Sequence, residues 1–231
     1  MTETLGPSAS TAEEATVLTL TIDTSTVSVI ALVDQDAEVR RSPDSRHHAE
    51  TLAPLINELV GDRTPDRIVA GTGPAAFTGL RAGLVTARAL ARAWNIPLIG
   101  IGSLDILGRS GLDRVGKSGT PNSPVIAVGD ARRKEVYAQV VTARGNDDLD
   151  IPWGPEVLTP QALAERYPDA TFVGPGAVLY SDILKGAVNE EIDPLVMVRL
   201  ANSRLARVDS GEELDLGTEP LYLRRPDIHG A

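Results

Sequence analysis

The sequence contains no cysteine, which excludes disulfides, thiolate metal sites and cysteine nucleophiles outright. That absence suits a reducing cytosol. Basic residues are also in short supply. Lys and Arg number 22 against 32 Asp and Glu, giving a formal charge of −10 and a pI near 4.8. A chain this acidic does not grip nucleic acid by itself, because phosphate binding rests on clustered Lys and Arg. A role near RNA therefore needs a basic partner or a local patch, and Arg132-Arg133-Lys134 is the best local candidate, with a solvated turn as its plain reading. No apolar run approaches the roughly 18 residues of a membrane span. Met1 to Thr16 holds three Glu, no Lys or Arg and no hydrophobic stretch, so it reads as a disordered tail and not a signal peptide. The expected location is the cytoplasm, with no membrane partner. Histidine is scarce too. His47 and His48 are adjacent and cannot share a helical face as an i, i+4 metal pair does, and His229 sits in a tail, so no metal site is expected.

What is present is ordinary globular material: 231 residues, 42% apolar and 23% charged. A chain of this length buries roughly 70% of its unfolded surface and needs no metal or disulfide to hold a core. Order begins at Val17. Val17 to Ile22 mixes branched and apolar residues as a strand does and stops at Asp23-Thr24-Ser25-Thr26, whose side chains favour a tight turn. Val27 to Val33 returns as a second strand, and Ala37 to Arg41 is a third. From Thr51, the positions Leu52, Leu55, Ile56, Leu59 and Val60 follow helical spacing, with Pro54 expected in the first turn. Ile68 to Gly71 reads as a short buried strand and Leu80 to Trp94 as a long helix ended by Asn95. Pro97 to Gly100 makes a further strand, and Ser103 is placed to cap a short helix to about Arg109. Gly111 to Pro124 carries three Gly, two Pro and two Ser in 14 residues and reads as a linker.

The second half repeats the first. Pro124 to Asp130 is again a strand ending in Asp, and Glu135 to Val141 is the returning strand. A shorter helix at about Gln161 to Tyr167 precedes Thr171 to Gly176, which echoes Ile68 to Gly73. The two matching features keep nearly the same offset in the same order, which points to internal duplication. The expected architecture is α/β: two ββαβα-type halves, each a mixed sheet with flanking helices, the second reduced. Its boundaries are a tail at 1–16, halves at 17–110 and 125–226, a linker at 111–124 and a tail at 227–231.

Four stretches carry a family likeness: Ile22-Asp23-Thr24-Ser25-Thr26; His48-Ala49-Glu50; Gly73-Pro74-Ala75-Ala76-Phe77-Thr78-Gly79-Leu80-Arg81-Ala82-Gly83; and Asp130-Ala131-Arg132-Arg133-Lys134-Glu135-Val136-Tyr137. With these the chain resembles the TsaB (YeaZ) family of the actin-like ATPase superfamily, from about Val17 to Pro226 and through Tyr222-Leu223-Arg224. Two departures are Ala75-Ala76, where the family usually has Gly-Ser, and the extra residues before Val17. The resemblance implies a non-catalytic scaffold or activator in tRNA N6-threonylcarbamoyladenosine formation. It pairs with the TsaD transferase and is joined by the ATPase TsaE, with tRNA engaged only through the complex and a homodimer when alone. It implies no cofactor of the chain's own, with ATP at most at the complex interface. The family's catalytic relatives carry a His-x-x-x-His metal site that has no counterpart here. The glycoprotease-like label attached to such relatives finds no support either, since there is also no Gly-x-Ser-x-Gly elbow.

Three further features need weighing. Gly111-Leu112-Asp113-Arg114-Val115-Gly116-Lys117-Ser118 matches a phosphate loop literally. That chemistry needs a buried strand before the first Gly and a helix starting at the Lys, and neither is expected. The Asp turns offer Thr24, Ser25, Asp130 and Arg132 as weak nucleotide contacts. Neither turn has a Gly to admit a phosphate to backbone N–H groups, so plain turns are the competing reading, and a small-molecule kinase or ATPase of the superfamily is the alternative function. Finally, the Leu80–Trp94 helix shows two apolar stripes where one suffices. Leu80, Leu84, Ala87, Ala91 and Trp94 form one; Ala82, Val85, Ala89 and Ala93 form the other. The first, with Leu52, Leu55, Ile56 and Leu59, is named as the partner surface, in a four-helix contact of the kind the family is understood to make; spacing alone leaves open which stripe faces out, and a helix that is simply well buried is the competing reading.

Overall fold

The computed structural model describes residues 17–43, 48–118 and 123–224. The two tails lie outside these residues, as do His47 and His229.

The first half builds one sheet. Its strands are β1 (Thr19–Asp23), β2 (Val29–Val33), β3 (Ala37–Arg41), β4 (Arg67–Gly71) and β5 (Leu98–Ile101), in the spatial order β3-β2-β1-β4-β5. β1 and β2 are antiparallel, with Ile22 opposite Ile30, while β4 and β5 run parallel to β1. Alternation along β1 sends Leu20 and Ile22 to one face. There they meet α1 (His48–Val60) and α2 (Phe77–Trp94) in a core that includes Leu52, Ile56, Leu59, Leu80, Leu84 and Ala87. Helix α1 starts three residues before Thr51, so Pro54 falls inside it and not in its first turn. Pro54 is tolerated there on the exposed side. Asn95 ends α2 in the left-handed region at φ 54°, its N–H donating to the carbonyl of Ala91, as a C-cap does.

The second half repeats the frame with β6 (Val125–Asp130), β7 (Val136–Arg144), β8 (Asp148–Leu158) and β9 (Thr171–Val173), ordered β8-β7-β6-β9. β6 pairs antiparallel with β7 and parallel with β9, matching β1 with β2 and β4. The duplication read from the two Asp turns is therefore a structural one. Its outer face carries only short helices, α4 (Pro160–Arg166) and α5 (Pro175–Leu179), against Ile126, Val128 and Phe172.

Between the sheets lie α3 (Ser103–Ser118) and α6 (Pro194–Asp209). Their residues Leu104, Leu107, Val196, Met197 and Leu200 join Val29, Val69 and Ile99 of the first sheet and Val125, Ala127 and Val141 of the second in one core. The linker expected at 111–124 is overturned for its first eight residues, which continue α3. Gly111 is a packing residue, since a Cβ there would come within 2.8 Å of the Val173 side chain, and one on Gly108 would meet Val141 at the same distance. Glycine on this helix face lets α3 lie directly on the second sheet. The phosphate-loop look-alike is thus a stretch of helix, with no strand leading into Gly111. Residues 119–122 lie outside the described ones.

The middle layer is also tied by charge. The Arg204 guanidinium bonds Asp105 at 2.8 Å and Asp148 at 3.1 Å, and Arg207 pairs with the same Asp148. Burial disfavours the Arg204 charge, yet the two carboxylates outweigh it and hold the group firmly protonated. Removing one member of such a buried network leaves another uncompensated.

Candidate functional site

The Asp turns at the ends of β1 and β6 face each other across a cleft of about 330 Å³ between the halves. Ser25, Thr26, Ser103, Asp130, Arg132 and Tyr137 are among its lining residues. Three of the four residues proposed from sequence as nucleotide contacts therefore converge here: Ser25, Asp130 and Arg132. Thr24 does not. It is 2% exposed, and its hydroxyl donates to the Gly79 carbonyl at 2.8 Å, clamping the turn to α2.

The polar groups of the cleft are engaged with one another. Asp23 is buried; its Oδ1 accepts from the Ser25 N–H at 2.8 Å and from the Ser25 hydroxyl at 2.6 Å. Its Oδ2 accepts from the Ser103 hydroxyl at 2.6 Å. Ser103 was expected to cap its helix; instead its side chain bridges β1 to α3 and also accepts from the Gly73 N–H at 3.2 Å. On the other wall, Asp130 accepts the Arg132 N–H at 2.8 Å and pairs with the Arg132 guanidinium at 3.2 Å. Burial, and then the charge of Asp130, push the Tyr137 phenol up, so it serves as a neutral donor, making a long bond of 3.5 Å to the Ala75 carbonyl. Neither turn presents a run of glycine N–H groups to a phosphate. Among the described residues, no group of three or more His, Asp or Glu is placed to hold a metal ion.

The turn after β6 carries a feature the sequence did not announce. Arg132, Arg133 and Lys134 are all left-handed, at φ 61°, 53° and 61°. Glycine or asparagine usually marks such positions, and neither is there.

The partner surface named from sequence needs correction. Leu80, Leu84, Ala87 and Ala91 are at most 7% exposed, and Leu52, Ile56 and Leu59 at most 4%. They are the core face of α1 and α2; Leu55 and Trp94 pack half-buried at its rim. Longer apolar side chains sit on the stripe that meets the chain's own sheet, because that stripe must fill the larger volume. The other stripe of α2 faces out. Val85 is 62% exposed, more than any other large apolar side chain among the described residues, and Ala89 and Ala93 are exposed beside it. Arg81, Arg88 and Arg92 border this stripe.

Residues 212–224, whose path the sequence left unread, return across the first half. The Gly100 N–H donates to the Leu216 carbonyl at 2.8 Å, which covers the open edge of β5, and the Leu221 N–H donates to Thr72 at 2.9 Å. Arg88 reaches Glu219 at 2.8 Å, and Arg81 donates to the Tyr222 hydroxyl at 3.2 Å. No helix among the described residues is long and apolar enough to cross a membrane.

Comparison with known proteins gives this architecture its relatives. A family model described as TsaD, tRNA N6-adenosine threonylcarbamoyltransferase, matches residues 42–186. An uncharacterized protein of Mycobacterium tuberculosis is 32% identical over 218 residues, covering 90% of this chain and 92% of that one. The tRNA threonylcarbamoyladenosine biosynthesis protein TsaB of Haemophilus influenzae is 29% identical over 227 residues, covering 90% of this chain and 93% of the relative. Among solved structures, YeaZ from Pseudomonas aeruginosa superposes with a TM-score of 0.71 at 25% identity, covering 90% of this chain and all of that one.

Proposed function

The chain belongs to the TsaB (YeaZ) family, with its actin-like fold, and from that premise we propose that it is a non-catalytic subunit of the tRNA N6-threonylcarbamoyladenosine modification machinery. The observation that carries the reading is the cleft itself. A fold that matches the family along nearly its whole length holds, at its inter-half cleft, an aspartate already satisfied by Ser25 and Ser103. Its facing aspartate is tied to the turn it belongs to. Such a site stiffens the join between the halves and offers no displaced base or nucleophile for group transfer. The kinase or ATPase alternative has less behind it, since phosphate cradles depend on close backbone N–H groups.

The partner is a TsaD-type transferase, which performs the chemistry. It docks on the outward stripe of α2, Ala82, Val85, Ala89 and Ala93, beside α1. Small side chains there let a second pair of helices approach closely and complete a four-helix contact. The same face pairs two copies of this chain when the transferase is absent. A TsaE-type ATPase joins the pair, tRNA is held by the complex and not by this acidic chain alone, and any ATP sits at the complex interface. On this reading the chain works in the cytoplasm.

Co-purification with the transferase of the same organism, followed by a tRNA modification assay with and without this chain, tests the reading. The expected result is a stable pair whose modification activity collapses when this chain is left out. Full activity of the transferase without it would refute the proposal.

A further inference from the structure

Next to the inter-half cleft is a second, smaller pocket of about 150 Å³. It is assembled from three distant segments: Ala75 to Phe77 at the start of α2, the turn from Asp130 to Arg133, and Tyr222 to Arg224 at the end of the returning segment. The site exists only when both halves and that segment are in place.

Its chemistry differs from that of the cleft. The rings of Phe77 and Tyr222 lie 4.9 Å apart, tilted by 32°, with the Arg81 guanidinium 4.1 Å over Phe77. Both rings are only half-buried, so part of their area faces the pocket. Arg132 and Arg133 line it and Lys134 follows them in the same turn, all three exposed, and Arg224 pairs with Glu135. In a chain of net charge −10, this places five cations and two carboxylates, Asp130 and Glu135, in one small area.

The backbone of the turn sharpens the point. Left-handed φ angles are costly for side-chain-bearing residues and persist where the surroundings or a function require them. A turn needing only its shape is better served by Gly or Asn. Three consecutive long cations in that conformation set local preference against residue choice, the kind of conflict expected at functional sites. What they add is positive charge at the mouth of an aromatic pocket.

Size decides what could enter. Pockets for whole small molecules run to roughly 300–1,000 Å³, and about 150 Å³ takes a single ring. One ring flanked by cations is the footprint of one unit of a polymer. Aromatic and guanidinium planes that stack a splayed base, with Arg and Lys on the adjoining phosphates, are how proteins hold unpaired RNA. We propose that this pocket takes one unpaired nucleotide of the RNA held by the complex, its base against Phe77 and Tyr222 and its phosphates on Arg132, Arg133 and Lys134. The proposal rests on the function proposed above. It also fits weak binding by the isolated chain, since one nucleotide contact matters only when the rest of the RNA is held elsewhere.

The test uses the purified complex with the TsaD-type transferase and, as probe, an unmodified transcript of a tRNA that reads a codon beginning with A. Replacing Arg132, Arg133 and Lys134 together by Gly removes the charge in residues suited to the left-handed turn. Complex formation is followed by size-exclusion chromatography, and tRNA affinity is measured across a salt series. The expected outcome is an intact complex, tRNA binding weakened about tenfold or more, and a shallower log–log salt slope. At about 0.7 per neutralised phosphate of a single strand, losing the two phosphates that flank one nucleotide changes that slope by roughly 1.4. If the Gly variant does not fold, Arg133→Glu and Lys134→Glu singly should each weaken tRNA binding and reduce the slope. An intact complex with unchanged affinity and slope overturns the RNA site while leaving the proposed function standing. Loss of ATP binding with tRNA binding unchanged overturns it in favour of a free nucleotide. A wild-type chain that neither pairs with the transferase nor affects modification removes both proposals together.

Discussion

Asp23 and Asp130 end equivalent strands of the two halves, and the structure puts them to different uses. Asp23 is sealed, 1% exposed, and receives the Ser25 N–H, the Ser25 hydroxyl and the Ser103 hydroxyl. Asp130 has a side chain 22% exposed and is held by the N–H and the guanidinium of Arg132 in its own turn. The same contrast runs through the outer faces. The first sheet is covered by α1 and α2, long enough to bury one stripe and still present Val85 to solvent. The second is covered by helices of seven and five residues. One frame, used twice, has become a half that displays a long helical face and a half that displays a charged turn. The duplicated part is the strand pairing, which any actin-like half needs to fold; the specialised part is what each half puts on top of it.

That contrast can be broken by substitution. The largest effect is expected for Asp23→Ala against Asp130→Ala. Removing the Asp23 carboxylate deprives buried donors of a charged acceptor, at roughly 1.5–3 kcal/mol per charge-assisted bond and therefore on the order of 3 kcal/mol or more in total. Asp130→Ala loses a partly exposed pair and should cost less than about 1 kcal/mol. Urea unfolding of the two variants checks this, and equal losses would erase the distinction between the turns. A smaller effect separates two glycines. A Cβ on Gly83 would lie 2.3 Å from the Thr24 hydroxyl, whereas one on Gly129 meets nothing closer than 3.5 Å. Gly83→Ala should cost about 1–3 kcal/mol through overpacking, and Gly129→Ala should fall within about 0.5 kcal/mol of wild type. Thermal melts of both variants decide it.

The shared middle layer gives a pH-dependent counterpart. Burial alone would raise the Asp113 carboxyl, but Arg199 and Arg109 outweigh it and hold it below its ordinary value of 3.8. A carboxylate lowered in the folded state adds stability above its unfolded value, and that stability is lost as pH falls through the folded value. Wild-type stability should therefore decline below about pH 4, and Asp113→Asn should flatten that decline while costing about 1 kcal/mol at neutral pH. A decline of unchanged steepness in Asp113→Asn would show that α3 and α6 are not joined through this carboxylate.

Much of this was legible from residue order alone. The two Asp-ended strands, their returning partners and the α1 and α2 periodicities are local signals, and the structure carries all of them. Position along the chain misled where packing set the residue type. Gly111 reads as a loop glycine because its reason for being small, the Val173 side chain on a distant strand, is not local. The inward stripe of α2 was mistaken for the partner face because helical spacing gives two apolar stripes without saying which one the sheet claims. Helix α6 was missed although Asp193-Pro194 marks its start, the Asp193 side chain accepting from the Leu195 N–H at 2.8 Å. That signal was there to be used. The left-handed Arg132-Arg133-Lys134 turn had no sequence signal at all, because no residue in it favours that conformation.

The smallest effect on stability belongs to the substitution that tests the account most directly. Val85 stands on the outward stripe at 62% exposure, so Val85→Glu should leave the melting temperature of the isolated chain within about 1–2 °C of wild type, a change of about 0.5 kcal/mol or less. Its neighbour Ala87, fully buried on the inward stripe, should unfold the chain when replaced by Glu, which fixes the orientation of the helix. Mixed with the TsaD-type transferase and run on size-exclusion chromatography with light scattering, wild type should elute as a complex and Val85→Glu as two separate proteins. A Val85→Glu chain that melts like wild type and still co-elutes with the transferase would contradict the claim that the first half's outward helices are the docking face.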